Sequence, residues 1–275
     1  MGVLVRSLET GGPRSVVLRA LVTGRGPRCV LLIHGFPFDH TMWKHQIRAL
    51  AEEALVVAPD LRGHGSSGVP AEPGRGLVDF AQDLVAWLDA VGAERAVVAG
   101  LSLGGYVAFE MWRRCPERIA GLALIDTRAE ADAPAEKRAR NDTAALIARQ
   151  GMRAVSDVML EKVMGESTRA ERPAVVEHVR RMIEDTPPNG AIHALAAMRE
   201  RPDSRADLPG IRVPTLVVVG EEDTLTPPDT ARALAAAIPG AEVIVIPQAG
   251  HVSALEAPLP VSAALVRLLA RAFPH

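Results

Sequence analysis

Gly100-Leu101-Ser102-Leu103-Gly104 is the segment of this 275-residue chain with the most chemical content. It follows the strand-like ERAVVAG and runs into the helix-like GYVAFEMWRR. In that context Gly-x-Ser-x-Gly describes a strand turning sharply into a helix, which lifts a serine hydroxyl clear of a sheet. Small residues at 100 and 104 let strand and helix approach closely. The pattern predicts a nucleophile at Ser102. A serine hydroxyl is weakly nucleophilic unless a base takes its proton, and the base needs a group that orients it. Among eight histidines, His251 stands between the last strand-like run and a C-terminal helical pattern. Sites in open parallel sheets form at such carboxyl ends of strands. Asp223, in GEEDTLTP at 220–227, follows another strand and is the candidate acid, while Asp126 at the end of the 119–125 run is its rival. The neighbouring Glu221 and Glu222 are expected to be solvated. The order is Ser, Asp, His, with gaps of 121 and 28 residues.

Acyl chemistry at such a serine turns a carbonyl oxygen into an oxyanion, and backbone N–H groups aimed at it supply much of the rate enhancement. Cys29 to Asp39, CVLLIHGFPFD, ends a strand with His34-Gly35. The expected donors are the N–H groups of Phe36 and Leu103. Pro37 has no N–H and holds the loop, and His34 is expected to brace that loop.

The elements that must position these residues are legible as alternation. Apolar runs at 16–22, 29–33, 54–58, 96–99, 119–125, 213–219 and 243–246 alternate with helical patterns near 41–52, 79–91, 103–114, 229–237 and 257–272. Phe80, Leu84, Val85, Leu88 and Val91 make one apolar stripe at helical spacing. Nearly continuous apolarity in the runs means strands covered on both faces, as in a parallel sheet with helices outside it. Residues 127–207 break the rhythm. They contain four helix-like stretches and no strand-like run, with joints at Pro134, Gly151, Gly165, Pro173 and Pro187-Pro188-Asn189-Gly190. A helical insertion between two strands accounts for them.

Composition removes several classes. Twenty-eight Arg and three Lys against 33 acids give a formal charge of −2, so no basic face for nucleic acid is expected. No stretch approaches 18 uncharged apolar residues, so no membrane span is expected. Arg6 and Glu9 interrupt the N-terminus before any apolar run reaches signal-peptide length. Cys29 and Cys115 are too few for a disulfide framework and have no metal-ligand spacing; two buried thiols and a cytoplasmic location are expected.

HGFPFDHTMW at 34–43, PDLRGHGSS at 59–67, GLSLGG at 100–105, GEEDTLTP at 220–227 and AGHVSALEAP at 249–258 together resemble the α/β-hydrolase fold superfamily, in its esterase, enol-lactonase and perhydrolase branch. The resemblance implies an α/β fold with an eight-stranded, mostly parallel sheet flanked by helices. It implies a core domain of residues 1–126 and 208–275 and a helical cap of residues 127–207. Ser102, Asp223 and His251 match the triad positions, and no metal or cofactor is implied. Dehalogenases and epoxide hydrolases of this fold carry Asp where this chain has Ser102, which argues against both. The 60–65 loop, with Arg62 and His64, reads as structural. Enol-lactonases often show an Asn-Ser-Leu-Gly type of loop where His34-Gly35-Phe36-Pro37 stands here.

The expected function is a serine hydrolase of carboxylic esters, acting on a small-molecule ester or lactone. Lactone opening and perhydrolysis are alternatives, as is a ligand-sensing protein that retains the triad. The 127–207 segment has no Phe, Tyr or Trp but five of the chain's eight methionines. Met152, Met159 and Met164, with Phe38, are candidates to line an aliphatic acyl pocket, the alternative being that methionine fills the insert's own core. Of Arg128, Arg138, Arg140, Arg149 and Arg153, most are expected on a solvated helical face, the alternative being bidentate binding of a substrate carboxylate, and His193 is expected as a packing or surface residue. Five of the nine rings, Phe36, Phe38, Trp43, Tyr106 and Phe109, fall on the two segments around the reacting carbonyl.

Overall fold

Strands covered on both faces need apolar side chains at every position, and the central runs of this chain have them. The computed structural model describes residues 4–11, 15–72 and 74–274, so the outer core limits 1 and 275 lie outside the described residues. Its strands are Leu4–Glu9 (β1), Val17–Thr23 (β2), Cys29–Ile33 (β3), Leu55–Asp60 (β4), Ala96–Leu101 (β5), Ile119–Ile125 (β6), Thr215–Gly220 (β7) and Glu242–Ile246 (β8). They form one sheet in the order β1-β2-β4-β3-β5-β6-β7-β8. The β1–β2 and β2–β4 pairs are antiparallel and every other pair is parallel. Strands β3, β5, β6 and β7 are buried along their whole length. The edge strand β1 is largely exposed and the other edge, β8, partly so.

The sequence offers no strand signal for β1: LVRSLE has charged and polar residues interleaved, and pairing with β2 alone holds it.

Helices follow at Lys44–Leu50 (α1), Leu77–Ala90 (α2), Leu103–Arg114 (α3), Pro134–Gln150 (α4), Arg153–Val163 (α5), Glu166–Glu171 (α6), Pro173–Asp185 (α7), Pro188–Arg199 (α8), Pro228–Ala237 (α9), Ser253–Glu256 (α10) and Pro258–Ala272 (α11). Five of these begin on proline, whose fixed φ suits the first helical position and whose missing N–H costs nothing there. The expected 41–52 helix is split: a 3-10 turn covers His40–Trp43, capped by Asp39 accepting from the Thr41 N–H at 2.7 Å, and α1 follows. α1 packs on α11, α2 on α3, and α3 and α11 lie against the central strands.

Helices α4 to α8 form the insert between the adjacent strands β6 and β7. They pack on one another, burying Ile147, Val155, Leu160, Val179, Ile183, Leu195 and Met198. The short α6 falls in a stretch without helical periodicity. Asp132 closes the base of the insert: its carboxylate binds Arg128 at 3.1 Å, Arg201 at 2.5 Å, and Arg140. Arg128 and Arg140 are therefore paired, not on a solvated face as expected. Arg201 also donates to the Glu130 carbonyl at 2.8 Å and lies 4.0 Å over the Tyr106 ring, so both ends of the insert meet here.

Cys29 is buried, which pushes its thiol up to about 12, while Cys115 is only half-buried, a correction to the expectation of two buried thiols. Cys115 follows the last turn of α3, where chain direction changes at the surface. Among the described residues no helix is long and apolar enough to cross a membrane.

Removing one partner from a buried charge network leaves the others uncompensated, at a cost of about 3 kcal/mol. Asp132→Ala should lower the unfolding free energy by that amount in urea titrations; a loss within experimental error would mean the network behaves as surface pairs.

Candidate active site

Five loops at the carboxyl ends of β3, β5, β6, β7 and β8 converge, and each candidate side chain comes from a different one. Ser102 follows β5 directly, with φ 53° and ψ −112°, a left-handed conformation costly for a residue with a side chain. Neighbouring bonds hold it: its N–H donates to the Ile125 carbonyl at 2.9 Å, and its carbonyl accepts from Thr127 Oγ1 at 2.9 Å. The close approach expected at 100 and 104 is present. A Cβ at Gly100 would fall 2.2 Å from the Gly104 carbonyl oxygen, and one at Gly104 would fall 2.2 Å from that of Ile33.

His251 Nε2 lies 2.8 Å from Ser102 Oγ, and His251 Nδ1 lies 2.8 Å from Asp223 Oδ2. The structure thus brings the three expected residues into one relay. Its members are unequally exposed: the His251 side chain is 6% exposed, Asp223 0%, and Ser102 half-buried, so the hydroxyl is the end that faces outward. Asp223 is fixed by its own turn, accepting from the Leu225 and Thr226 N–H groups at 2.9 and 3.0 Å and from Thr226 Oγ1 at 2.6 Å. Thr226 was not singled out from the sequence, yet an Asp followed by Thr three residues later is a local turn signal that could have marked it.

Burial works against a charged His251, but the charge and hydrogen bond of Asp223, joined by the charges of Asp126 and Glu256, outweigh it and raise the ring above its ordinary 6.5. Burial likewise raises Asp223, and the charge and hydrogen bonds of His251 and Thr226 more than reverse it, holding Asp223 below its ordinary value. The rival Asp126 is fully buried and differently engaged. Its carboxylate accepts from the Gly220 N–H at 3.0 Å and from the Ser253 N–H and Oγ at 3.0 and 2.7 Å. Burial, then the charge of Asp223, pushes it up to about 7.

The Leu103 N–H opens α3, where the helix dipole favours negative charge. Among the described residues neither it nor the Phe36 N–H donates to a protein acceptor. Beneath them His34 is fully buried and braces two loops, with Nδ1 2.9 Å from the Gly35 carbonyl and Nε2 accepting from the Leu61 N–H at 2.9 Å. Arg62 is locked to Asp83 by two 2.7 Å bonds, and burial and then the neighbouring His34 push His64 down to about 3.

Several expectations about the pocket are corrected. Phe38, Met152 and Met164 are 0%, 3% and 3% exposed, and Met159 is partly buried against the same core. As packed, they fill core volume, the alternative reading of the methionines. Trp43, Tyr106 and Phe109 are buried too, leaving Phe36 as the only one of those five rings that is half-exposed. With so few rings in the chain, their volume goes into the core. Glu222 is partly exposed, and it also accepts from the Ser167 N–H at 3.0 Å in the insert. His193 is partly buried on α8.

A cleft of about 580 Å³ lies elsewhere, between α2, α3 and α8, and Ser102 is not among its lining residues. Its arginines are paired, Arg75 with Asp79 and both Arg113 and Arg114 with Glu110. Asp39, His40 and Asp60 also come close enough to hold a cation. Their oxygens already accept N–H groups, Asp39 from Thr41, and Asp60 from His40 and Ser66.

Comparison with known proteins places the fold among relatives. A structure of a thermophilic esterase from Thermogutta terrifontis, malate bound, is 40% identical, with a TM-score of 0.92 over 97% of this chain and 99% of that one. An enol-lactonase structure from Burkholderia xenovorans LB400 is 28% identical, with a TM-score of 0.86 over 92% of this chain and 96% of that one. A dihydrolipoyllysine-residue acetyltransferase component of the acetoin cleaving system from Cupriavidus necator is 32% identical over 85% of this chain, which spans only 61% of that relative's length. The alpha/beta hydrolase fold model matches residues 28–258, from the start of β3 to the start of α11, and the chain belongs to that family.

Proposed function

We propose that this protein is a serine hydrolase of carboxylic esters, with Ser102, His251 and Asp223 as its triad. One observation carries the reading: Ser102 Oγ, His251 and Asp223 form a continuous relay with two 2.8 Å steps beside a helix N-terminus. The esterase likeness supports the substrate class. Ser102 attacks the ester carbonyl while His251 Nε2 takes its proton. Asp223 holds the Nδ1–H tautomer and stabilises the imidazolium. The Leu103 and Phe36 N–H groups receive the oxyanion. His251 then returns the proton to the departing alcohol, and water activated by the same ring releases the acyl group. The α4 to α8 insert, residues 127–207, acts as a cap on the core of 1–126 and 208–275. Residues 127–207 carry no Phe, Tyr or Trp that could stack on an aromatic acyl group, which suits aliphatic ones. Two free cysteines fit a reducing compartment, and we place the protein in the cytoplasm. Lactone opening is the second reading, favoured by the enol-lactonase likeness.

Ser102→Ala should lower kcat on the order of 10⁶-fold, and Asp223→Asn on the order of 10⁴-fold. Near-native kcat in Asp223→Asn would return Asp126 to contention. His251 must be neutral to accept the proton, and its ring is raised above 6.5. The acid limb of kcat/KM should therefore lie above pH 6.5 and move to lower pH in Asp223→Asn, where the stabilising anion is gone; an unmoved limb would remove His251 as the titrating base. With butyrate, octanoate, benzoate and lactone substrates, kcat/KM should favour the aliphatic esters. A clear benzoate preference would contradict the aliphatic pocket, and a lactone preference would select the second reading.

A further inference from the structure

His251 sits on a loop whose backbone is held by the insert. Three consecutive N–H groups are involved. Those of Gly250 and Val252 donate to Glu256 Oε1 at 2.9 and 3.2 Å, and that of His251 donates to the Val163 carbonyl at 2.9 Å, at the end of α5. The other oxygen of the same carboxylate, Glu256 Oε2, accepts from the Gly165 N–H at 2.9 Å, in the turn between α5 and α6. Glu256 is 1% exposed. A buried carboxylate persists where hydrogen bonds replace its water, and here backbone N–H groups from two separate parts of the chain do so.

The backbones come this close because three layers of chain meet at glycines. A Cβ at Gly220, the end of β7, would fall 2.1 Å from the Gly250 carbonyl oxygen, and one at Gly250 would fall 2.2 Å from the Gly165 nitrogen. The loop bearing the base is thus clamped between the core, where Asp126 holds Ser253, and the insert.

We propose that Glu256 is a positioning residue for His251, tying the backbone on both sides of the histidine to the Val163–Gly165 turn, so that the insert is part of the support of the base. The inference rests on the reading of His251 as the base. Glu256 supplies only acceptors to converging N–H donors, whereas Gln at this position turns a donor toward at least one of them. The charge acts as well. The carboxylates facing the ring are Asp223, Asp126 and Glu256, so removing one lowers the ring's affinity for its proton.

The test uses the full chain with Glu256→Gln, Glu256→Asp, Gly165→Ala and Ser102→Ala. The readouts are kcat and KM on a butyrate ester across pH, the rate of Ser102 phosphonylation by a fluorophosphonate, the downfield Nδ1–H proton resonance of His251, and Tm. Displacing a reacting group by about 1 Å costs about 100-fold. Glu256→Gln should lower kcat and phosphonylation together by about 10- to 100-fold with KM little changed. It should shift or broaden the Nδ1–H resonance and move the acid limb to lower pH. Glu256→Asp keeps the charge and should restore the limb but not the rate. Should Glu256→Gln fail to fold, Gly165→Ala carries the test. Its Cβ would fall 2.5 Å from Glu222 Oε2, the movable end of a side chain, and 2.8 Å from the Gly250 nitrogen, fixed backbone of the His251 loop, and should lower kcat in the same way from within the insert. A fall in Tm with kcat, phosphonylation and the resonance at wild-type values would overturn the proposal. Turnover surviving in Ser102→Ala would instead refute the serine mechanism, and the Nδ1–H resonance would still report on Glu256.

Discussion

Everything at this site depends on the chain turning from a fully buried strand into a helix within one residue. Ser102 makes that turn at φ 53°, in a region that costs about 1–3 kcal/mol for a residue with a Cβ. The conformation survives because both peptide groups of Ser102 are tied to the segment at and beyond the end of β6. Once it is fixed, the rest follows. The hydroxyl stands above the sheet, the first free N–H of α3 points the same way, and Gly100 and Gly104, two residues to either side, must lack side chains. The loops after neighbouring strands then bring His251 and Asp223 to a point already chosen.

They deliver two carboxylates, and hydrogen bonding separates their roles. Asp223 is gripped by its own turn and by His251, and stays below the usual carboxylate range. Asp126 lies deeper, feels the charge of Asp223, and is pushed up to about 7 while it joins β7 to the segment after the histidine. Environments that drive like groups apart assign them different work. The imidazole is bonded to Asp223, while Asp126 serves the frame around it.

What the sequence made legible was local. Ser102 announces itself through flanking glycines, and Asp223 and His251 through turns after apolar runs; the central strands are visible because burial on both faces demands unbroken apolarity. β1 was invisible because LVRSLE owes its extended form to a partner strand and not to its own pattern. Glu256 hides in the apolar stretch HVSALEAP, where a lone buried acid is a faint signal, and its partner Gly165 lies 91 residues away. The pocket expectations for Phe38 and the methionines went astray for a related reason. Composition says which volumes are available, but the packing of sequence-distant helices decides which of them face a cavity.

The insert's attachment to the core bears on how a substrate reaches the serine. It is bonded to the base loop through Val163 and Gly165, to the acid turn through Ser167 and Glu222, and to the loop after β3 through Thr186, which donates to the Pro37 carbonyl at 2.6 Å. Swinging it away as a rigid body would break all of these at once and release the His251 loop from its support. The bonds that attach the insert are the same bonds that hold the His251 loop and the Asp223 turn, so moving the insert and disturbing the relay are one event.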